Sequence, residues 1–150
     1  MAKSSPATGG SRISALRVIS LVVPPLVVMA LIFFLSAQPN DGEDRALWEL
    51  VLRKVGHVTE YLVLTLATWR AVRGLRPSWG IASQLIAAVL VGLLYAVSDE
   101  IHQTFVEGRH GTPVDVLIDA IGMTLAALLV LRRYADRRRR TLGPSRPSAA

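Results

Sequence analysis

Two stretches of this chain collect side chains that can do chemistry. RKVGHVTEY, residues 53–61, carries Lys54, His57, Glu60 and Tyr61, and SDEIHQTFVEGRHGTPVDVLIDAIG, residues 98–122, carries Asp99, Glu100, His102, Gln103, Arg109, Asp115 and Asp119. On a helix Lys54, His57 and Tyr61 fall within about 60° of one another, while Glu60 points about 100° away from Tyr61. Asp99, His102 and Gln103 share a second helical face, with Glu100 about 100° off Asp99. These residue types suit an anionic group such as phosphate or carboxylate. Lys54 and Arg109 can hold it, Arg109 by a bidentate contact. His57 or His102 can serve as nucleophile or general base, and Asp99 or Glu100 can orient a histidine or act as acid.

Other chemistries find less support. The chain has no cysteine, which removes a disulfide framework, a thiolate metal site and a cysteine nucleophile. His57, His102, Asp99, Glu100, Asp115 and Asp119 are all metal donors in principle. Their spacing is not diagnostic, no HExxH pair occurs and His110 stands alone, so no metal and no cofactor is expected. No G-x-G-x-x-G or P-loop cradle is present for a nucleotide.

The elements that must position these groups are apolar helices. Residues 18–37 and 79–98 are uncharged runs of about 20 residues, enough at 1.5 Å per residue to cross a hydrocarbon core of roughly 30 Å. A signal peptide is the competing reading for the first, but the run exceeds an h-region of about 7–15 residues and Leu35 does not suit a cleavage site. Pro24 and Pro25 predict a kink there. Residues 51–69 and 113–131 are apolar over their later portions and carry the ionisable groups near their starts. Asp44 is placed to cap the second helix and Ser78 the third. Thr112, Pro113 and Asp115 resemble a capping box, with Asp in place of the usual Glu or Gln. That pattern leaves Asp119 unexplained. Asp119 shares a face with Asp115 and Gly122, and Gly122 would let another helix approach closely.

The 150 residues predict an all-α integral membrane protein of four transmembrane helices, a membrane domain over 12–135 flanked by disordered tails at 1–11 and 136–150. Sorting charge by loop orients it. Thirteen of the 17 basic residues fall on the side of the termini and the loop at 70–76, and ten of the 11 acids fall on the other. The positive-inside rule then puts both termini in the cytoplasm of a cell-membrane protein. A net charge of +6 and the run Arg137 to Arg140 suggest a nucleic-acid tail at first sight. The run directly follows an apolar span, where cytoplasmic positive charge belongs, so no nucleic-acid partner is expected. An ionisable group inside a bilayer costs about 2.5–3.5 kcal/mol on insertion scales, which makes the acidic outer end the candidate site.

SAQP at 36–39, RKVGHVTEY and the long segment 98–122 together resemble the VanZ-like family of bacterial membrane proteins, over roughly residues 30–130. Its pattern matches Gln38, Lys54, His57, Tyr61, Asp99, Glu100, Gln103, Arg109, Asp115 and Gly122. Glu107 stands where proline is common, and Asp119 where asparagine is common. The family's best-known members are linked to low-level resistance to the glycopeptide teicoplanin. The resemblance therefore implies a small multi-pass protein that meets an envelope lipid, a lipid-linked cell-wall precursor or a glycopeptide. Residues and resemblance combined give His57, Asp99, Glu100 and His102 as catalytic candidates. Gln38, Lys54, Tyr61, Gln103, Arg109, Asp115 and Asp119 are the candidate substrate contacts.

Three readings of that set stand side by side. In the first, an enzyme hydrolyses or exchanges a lipid headgroup by phosphoryl transfer. In the second, the same residues bind a lipid or antibiotic, or assist another envelope enzyme, without turnover. In the third, Lys54, Arg109, Asp99, Asp115 and Asp119 neutralise one another and only hold the helices together. A transporter is disfavoured, since no inverted repeat is visible and the polar residues stop near the outer half.

Overall fold

A computed structural model describes residues 14–38 and 47–142. They form four helices, α1 (Ala15–Ser36), α2 (Leu47–Leu75), α3 (Ile81–Gln103) and α4 (Pro113–Leu142), and no strand occurs among the described residues. Three of them, Ala15–Ser36, Ile81–Gln103 and Pro113–Thr141, are long and apolar enough to cross a membrane. Helix α2 has 29 residues, about 43 Å of helix, is not among those three, and carries Glu49, Arg53, Lys54, Glu60, Arg70 and Arg73.

Burial is inverted relative to a water-soluble bundle. Leu26, Phe34, Leu94, Leu117 and Leu128 point outward, whereas Ser36, Asp99, Glu100, Gln103 and Asp119 are buried. An apolar exterior around buried polar side chains is what a lipid solvent selects, since polar groups there must find partners inside the bundle. The core between them is Ile32, Tyr61, Leu64, Ala96 and Met123.

Helices α2 and α3 lie between α1 and α4, whose backbones do not approach each other closely. Arg70 at the end of α2 donates to the Ser20 carbonyl near the start of α1, 3.0 Å away, and Ser36 at the end of α1 meets Asp99 near the end of α3. Helices α1 and α2 are thus antiparallel, and α1 and α3 run the same way. The Tyr95 hydroxyl donates to the Met29 carbonyl at 2.5 Å and pins that second pair. Lys54 meets Asp115 and His57 meets Asp119, so α2 and α4 also run the same way. Gly122 makes their closeness possible. A Cβ there would collide with the Val58 carbonyl and come within 3.0 Å of the Leu62 nitrogen, both backbone atoms that cannot step aside.

Helix α1 carries Pro24 and Pro25 in its interior and is capped by Ser14, whose hydroxyl accepts from the Arg17 amide. Several local expectations change. Helix α3 starts at Ile81 with Gly80 as cap and no side-chain hydrogen bond, so Ser78 does not cap it; Ser78 sits in the turn after Pro77. Helix α3 also runs five residues past the uncharged stretch to Gln103, which carries Asp99, Glu100 and Gln103 into the bundle. The tail expected to be disordered from 136 is helical as far as Leu142. Arginine is a good helix former, and cations near a C-terminus complement the helix dipole. Asp44 and the tails at 1–11 and 143–150 lie outside the described residues.

Candidate functional site

The ionisable residues gather where α1 and α3 finish and α2 and α4 begin. Four segments contribute, and each is placed by its helix. On α4, Thr112 Oγ1 accepts the Asp115 amide at 3.2 Å, as the capping pattern predicts, and donates to Asp115 Oδ2 at 2.9 Å. The reciprocal half of a capping box is not made by Asp115. The Thr112 amide donates instead to Glu100 Oε2 of α3 at 2.8 Å, and Lys54 of α2 takes Asp115 Oδ1. Gly111 allows this, because a Cβ there would strike the Glu100 carbonyl.

One turn deeper, His57 Nδ1 and Asp119 Oδ1 are 3.1 Å apart. The Asp119 side chain is fully buried and the His57 side chain is 14% exposed. With Nδ1 held by Asp119, His57 Nε2 has no protein hydrogen bond among the described residues. The histidine is therefore oriented by a carboxylate, with its other nitrogen open. The aspartate that does this is Asp119, which the residue types and resemblance had placed among substrate contacts, not Asp99 or Glu100.

Asp99 has a different role. Its Oδ1 accepts the buried Ser36 hydroxyl at 2.5 Å and its Oδ2 accepts Gln103 Nε2 at 3.0 Å, so it ties α1 to α3. Gln103 also reaches Glu100 Oε1 at 3.4 Å. Arg109, in the loop before α4, donates to the Leu35 carbonyl at 3.2 Å and so meets the negative end of α1. His102 stands apart from the dyad, stacked on Phe33 with 4.4 Å between ring centroids. Gln38 is exposed and donates to the Phe34 carbonyl of its own helix at 2.9 Å. Tyr61 is fully buried in the core, and neither its hydroxyl nor Asp119 Oδ2 has a hydrogen-bond partner among the described residues. Lys54, His57, Glu100, Asp115 and Asp119 thus converge, Asp99 and Gln103 brace the adjoining helix pair, and His102 and Gln38 lie off to the side.

Ser36, which was not among the candidates, belongs to this region, as does Glu60, which the motif named without a role. Ser36 holds Asp99, and Glu60 lies in the electrostatic field of His57, Asp99, Asp119 and Arg109. The signal for Ser36 was its place inside SAQP, a hydroxyl at the end of an apolar run. Among the described residues one donor set lies close enough to hold a cation. His57, Glu100 and Asp119 each offer a ligand atom within 4.8 Å of the others. They come from three different helices, which is why spacing along the chain could not show them. Glu100 and Asp119 Oδ1 already accept hydrogen bonds there.

Beside the site an apolar groove of about 440 Å³ runs between α2 and α4, bounded by Leu50, Val55, Val58, Ile118 and Ile121, with Lys54 on its edge. An anionic headgroup at Lys54 would have room for an acyl chain along that groove.

The comparisons with known proteins agree with the motifs. No curated protein and no solved structure matches the chain. The family model described as VanZ/LLP1 matches residues 21–134, a stretch that contains the converging site, the groove, all of α2 and α3 and most of α1 and α4. The chain, with its apolar helices and buried polar end, belongs to the VanZ/LLP1 family.

Proposed function

We propose that the chain crosses the cell membrane four times with both termini in the cytoplasm, and that its polar end acts on the headgroup of an envelope lipid or lipid-linked cell-wall precursor at the outer leaflet. The distribution of basic residues supports the orientation, and the alternating directions of α1 to α4 suit four crossings. The observation that carries the functional reading is the Asp119–His57 pair with Nε2 open beside Lys54. In the catalytic form of the reading, Lys54 holds a phosphate oxygen and His57 Nε2 takes a proton from water. The water oxygen bonds to phosphorus, the bond from phosphorus to the departing alcohol oxygen breaks, and the proton returns to that oxygen. Asp119 steadies the imidazolium between the two transfers. Acting on such lipids would also alter what a glycopeptide meets, the route by which resistance to teicoplanin would arise.

The test is lipid mass spectrometry on purified protein incubated with a panel of phospholipids and prenyl phosphates. The expected result is a changed headgroup with wild-type protein and none with His57→Ala. Unchanged lipids across the panel would overturn the catalytic form. A second reading, recognition without turnover, draws on how fully Asp99, Gln103 and Asp115 are engaged by the protein itself. It expects lipid or glycopeptide binding that survives His57→Ala and fails with Lys54→Met.

A further inference from the structure

The opposite end of the bundle holds a second polar feature, independent of the His57 site. Arg73 of α2 and Arg133, Arg137 and Arg138 of α4 line a cavity of about 480 Å³ together with Trp69. Leu66, Ile81, Leu129 and Val130 give it an apolar wall, Gln84, Tyr134 and Thr141 are neutral polar neighbours, and no carboxylate lines it among the described residues. The Arg73 guanidinium lies 5.4 Å from the Trp69 ring centroid. Guanidinium groups only donate. The cavity therefore combines four positive charges with no anionic acceptor among its lining residues, a set that an incoming anionic oxygen would complete.

Its depth indicates where that oxygen comes from. Arg73 lies 19 residues after Lys54 on one continuous helix, about 28 Å along its axis and close to the roughly 30 Å of a hydrocarbon core. With the Lys54 end at one headgroup layer, the arginines stand at the other, and Leu66 and Leu129 reach into the hydrocarbon beneath them.

We infer that this cavity binds the phosphate of an anionic phospholipid, with its oxygens on the arginines and the start of its acyl chains against Leu66, Leu129 and Val130. Arginine suits the task through its planar set of donors, which pairs with phosphate oxygens in twos. The apolar wall selects a lipid over free phosphate, which would leave that surface wet.

The experiment uses the full chain in detergent, with retained lipid counted by native mass spectrometry as dioleoyl phosphatidylglycerol, dioleoyl phosphatidylcholine or inorganic phosphate is added. Phosphatidylglycerol should be retained in preference to phosphatidylcholine, and inorganic phosphate should not displace it at equal concentration. The double substitution Arg133→Gln with Arg137→Gln should weaken retention about 10- to 30-fold. Arg132→Gln with Arg139→Gln removes the same charge from the same helix outside the cavity and should change it less than about 3-fold. Arg73→Gln removes the one cavity arginine that α2 supplies and should also weaken retention. Equal loss with both arginine pairs would mean diffuse attraction and overturn the proposal. Equal retention of phosphatidylcholine, displacement by inorganic phosphate, or unchanged binding by Arg73→Gln would overturn it as well. Because Arg73→Gln leaves α4 untouched, its result stands even if a double variant fails to fold. None of these outcomes bears on lipid turnover at His57.

Discussion

Asp119 Oδ1 and His57 Nδ1 lie 3.1 Å apart although 62 residues separate them, and Asp119 is fully buried where they meet. The pairing fixes which histidine nitrogen is engaged and which is open. It also places the oriented base against α4, where Lys54 and Asp115 form the neighbouring rung.

The His57 contact separates hydrogen bonding from charge. Asp119→Asn keeps an oxygen that can accept the Nδ1 hydrogen, whereas Asp119→Leu removes every acceptor and leaves the imidazole N–H unpaired. Stranding that group should cost about 1–3 kcal/mol, and the asparagine variant should lose less than the leucine one. Thermal unfolding of the two proteins in the same detergent measures the difference. If leucine proves as stable as asparagine, Asp119 does not hold His57.

The glycines of α2 and α4 predict opposite signs. Gly122→Ala puts a Cβ against the Val58 carbonyl and the Leu62 nitrogen, so α2 and α4 must part and their two charged rungs loosen. Overpacking of this kind costs about 1–3 kcal/mol. At Gly56 nothing lies within 4 Å of an added Cβ, so Gly56→Ala gains up to about 1 kcal/mol of helix propensity. Melting temperatures should move down for the first and up for the second. A fall for both would mean that Gly56 faces a neighbour.

How much of this was legible depends on what a helix face can reveal. Uncharged runs exposed α1 and α3, and the position of Gly122 beside Asp119 foretold a close helix approach. Thr112 was recognisable as a cap because capping is local. The partner of His57 was not, since spacing within one helix says which residues share a face but not which helix that face meets. A signal was present in retrospect. Lys54, His57 and the Val58–Leu62 backbone step along α2 as Asp115, Asp119 and Gly122 step along α4, the register of two helices running the same way. Ser36 and the surroundings of Glu60 escaped for the same reason, because only the assembled bundle brings α1 and α2 to Asp99 and Asp119. The end of α4 escaped differently, as a basic tail and a helix rich in arginine read alike from composition.

Ser36→Ala tests the brace behind the site. The substitution deletes the buried hydroxyl that meets Asp99 Oδ1, while Gln103 still donates to Oδ2. A buried carboxylate oxygen that loses its donor should cost about 1–3 kcal/mol of stability. Ser20→Ala removes a hydroxyl of the same helix that serves only the Arg17 carbonyl at an exposed position, and should cost well under 1 kcal/mol. Unfolding followed by far-UV circular dichroism compares them, and equal effects would remove Ser36 from any role in holding α1 to α3.

Lys54→Met distinguishes an ion pair that holds the fold from a cation that meets a ligand. The Lys54 side chain is 43% exposed and that of Asp115 is 18% exposed, so the pair is only partly shielded from solvent and should contribute no more than about 1 kcal/mol to stability. Asp115 keeps its contact with the Thr112 hydroxyl and its own amide cap when the lysine is gone. Melting temperature should therefore change little. Retention of an anionic lipid at the His57 end should fall much further, because Lys54 borders both the polar cluster and the apolar groove that would take the acyl chain. Binding of a spin-labelled phosphatidylglycerol, measured beside unfolding in an Arg133→Gln, Arg137→Gln background so that the arginine cavity does not contribute, reads both quantities. A large drop in stability with unchanged lipid binding would make the Lys54–Asp115 pair a structural rung alone and leave the site without its cation.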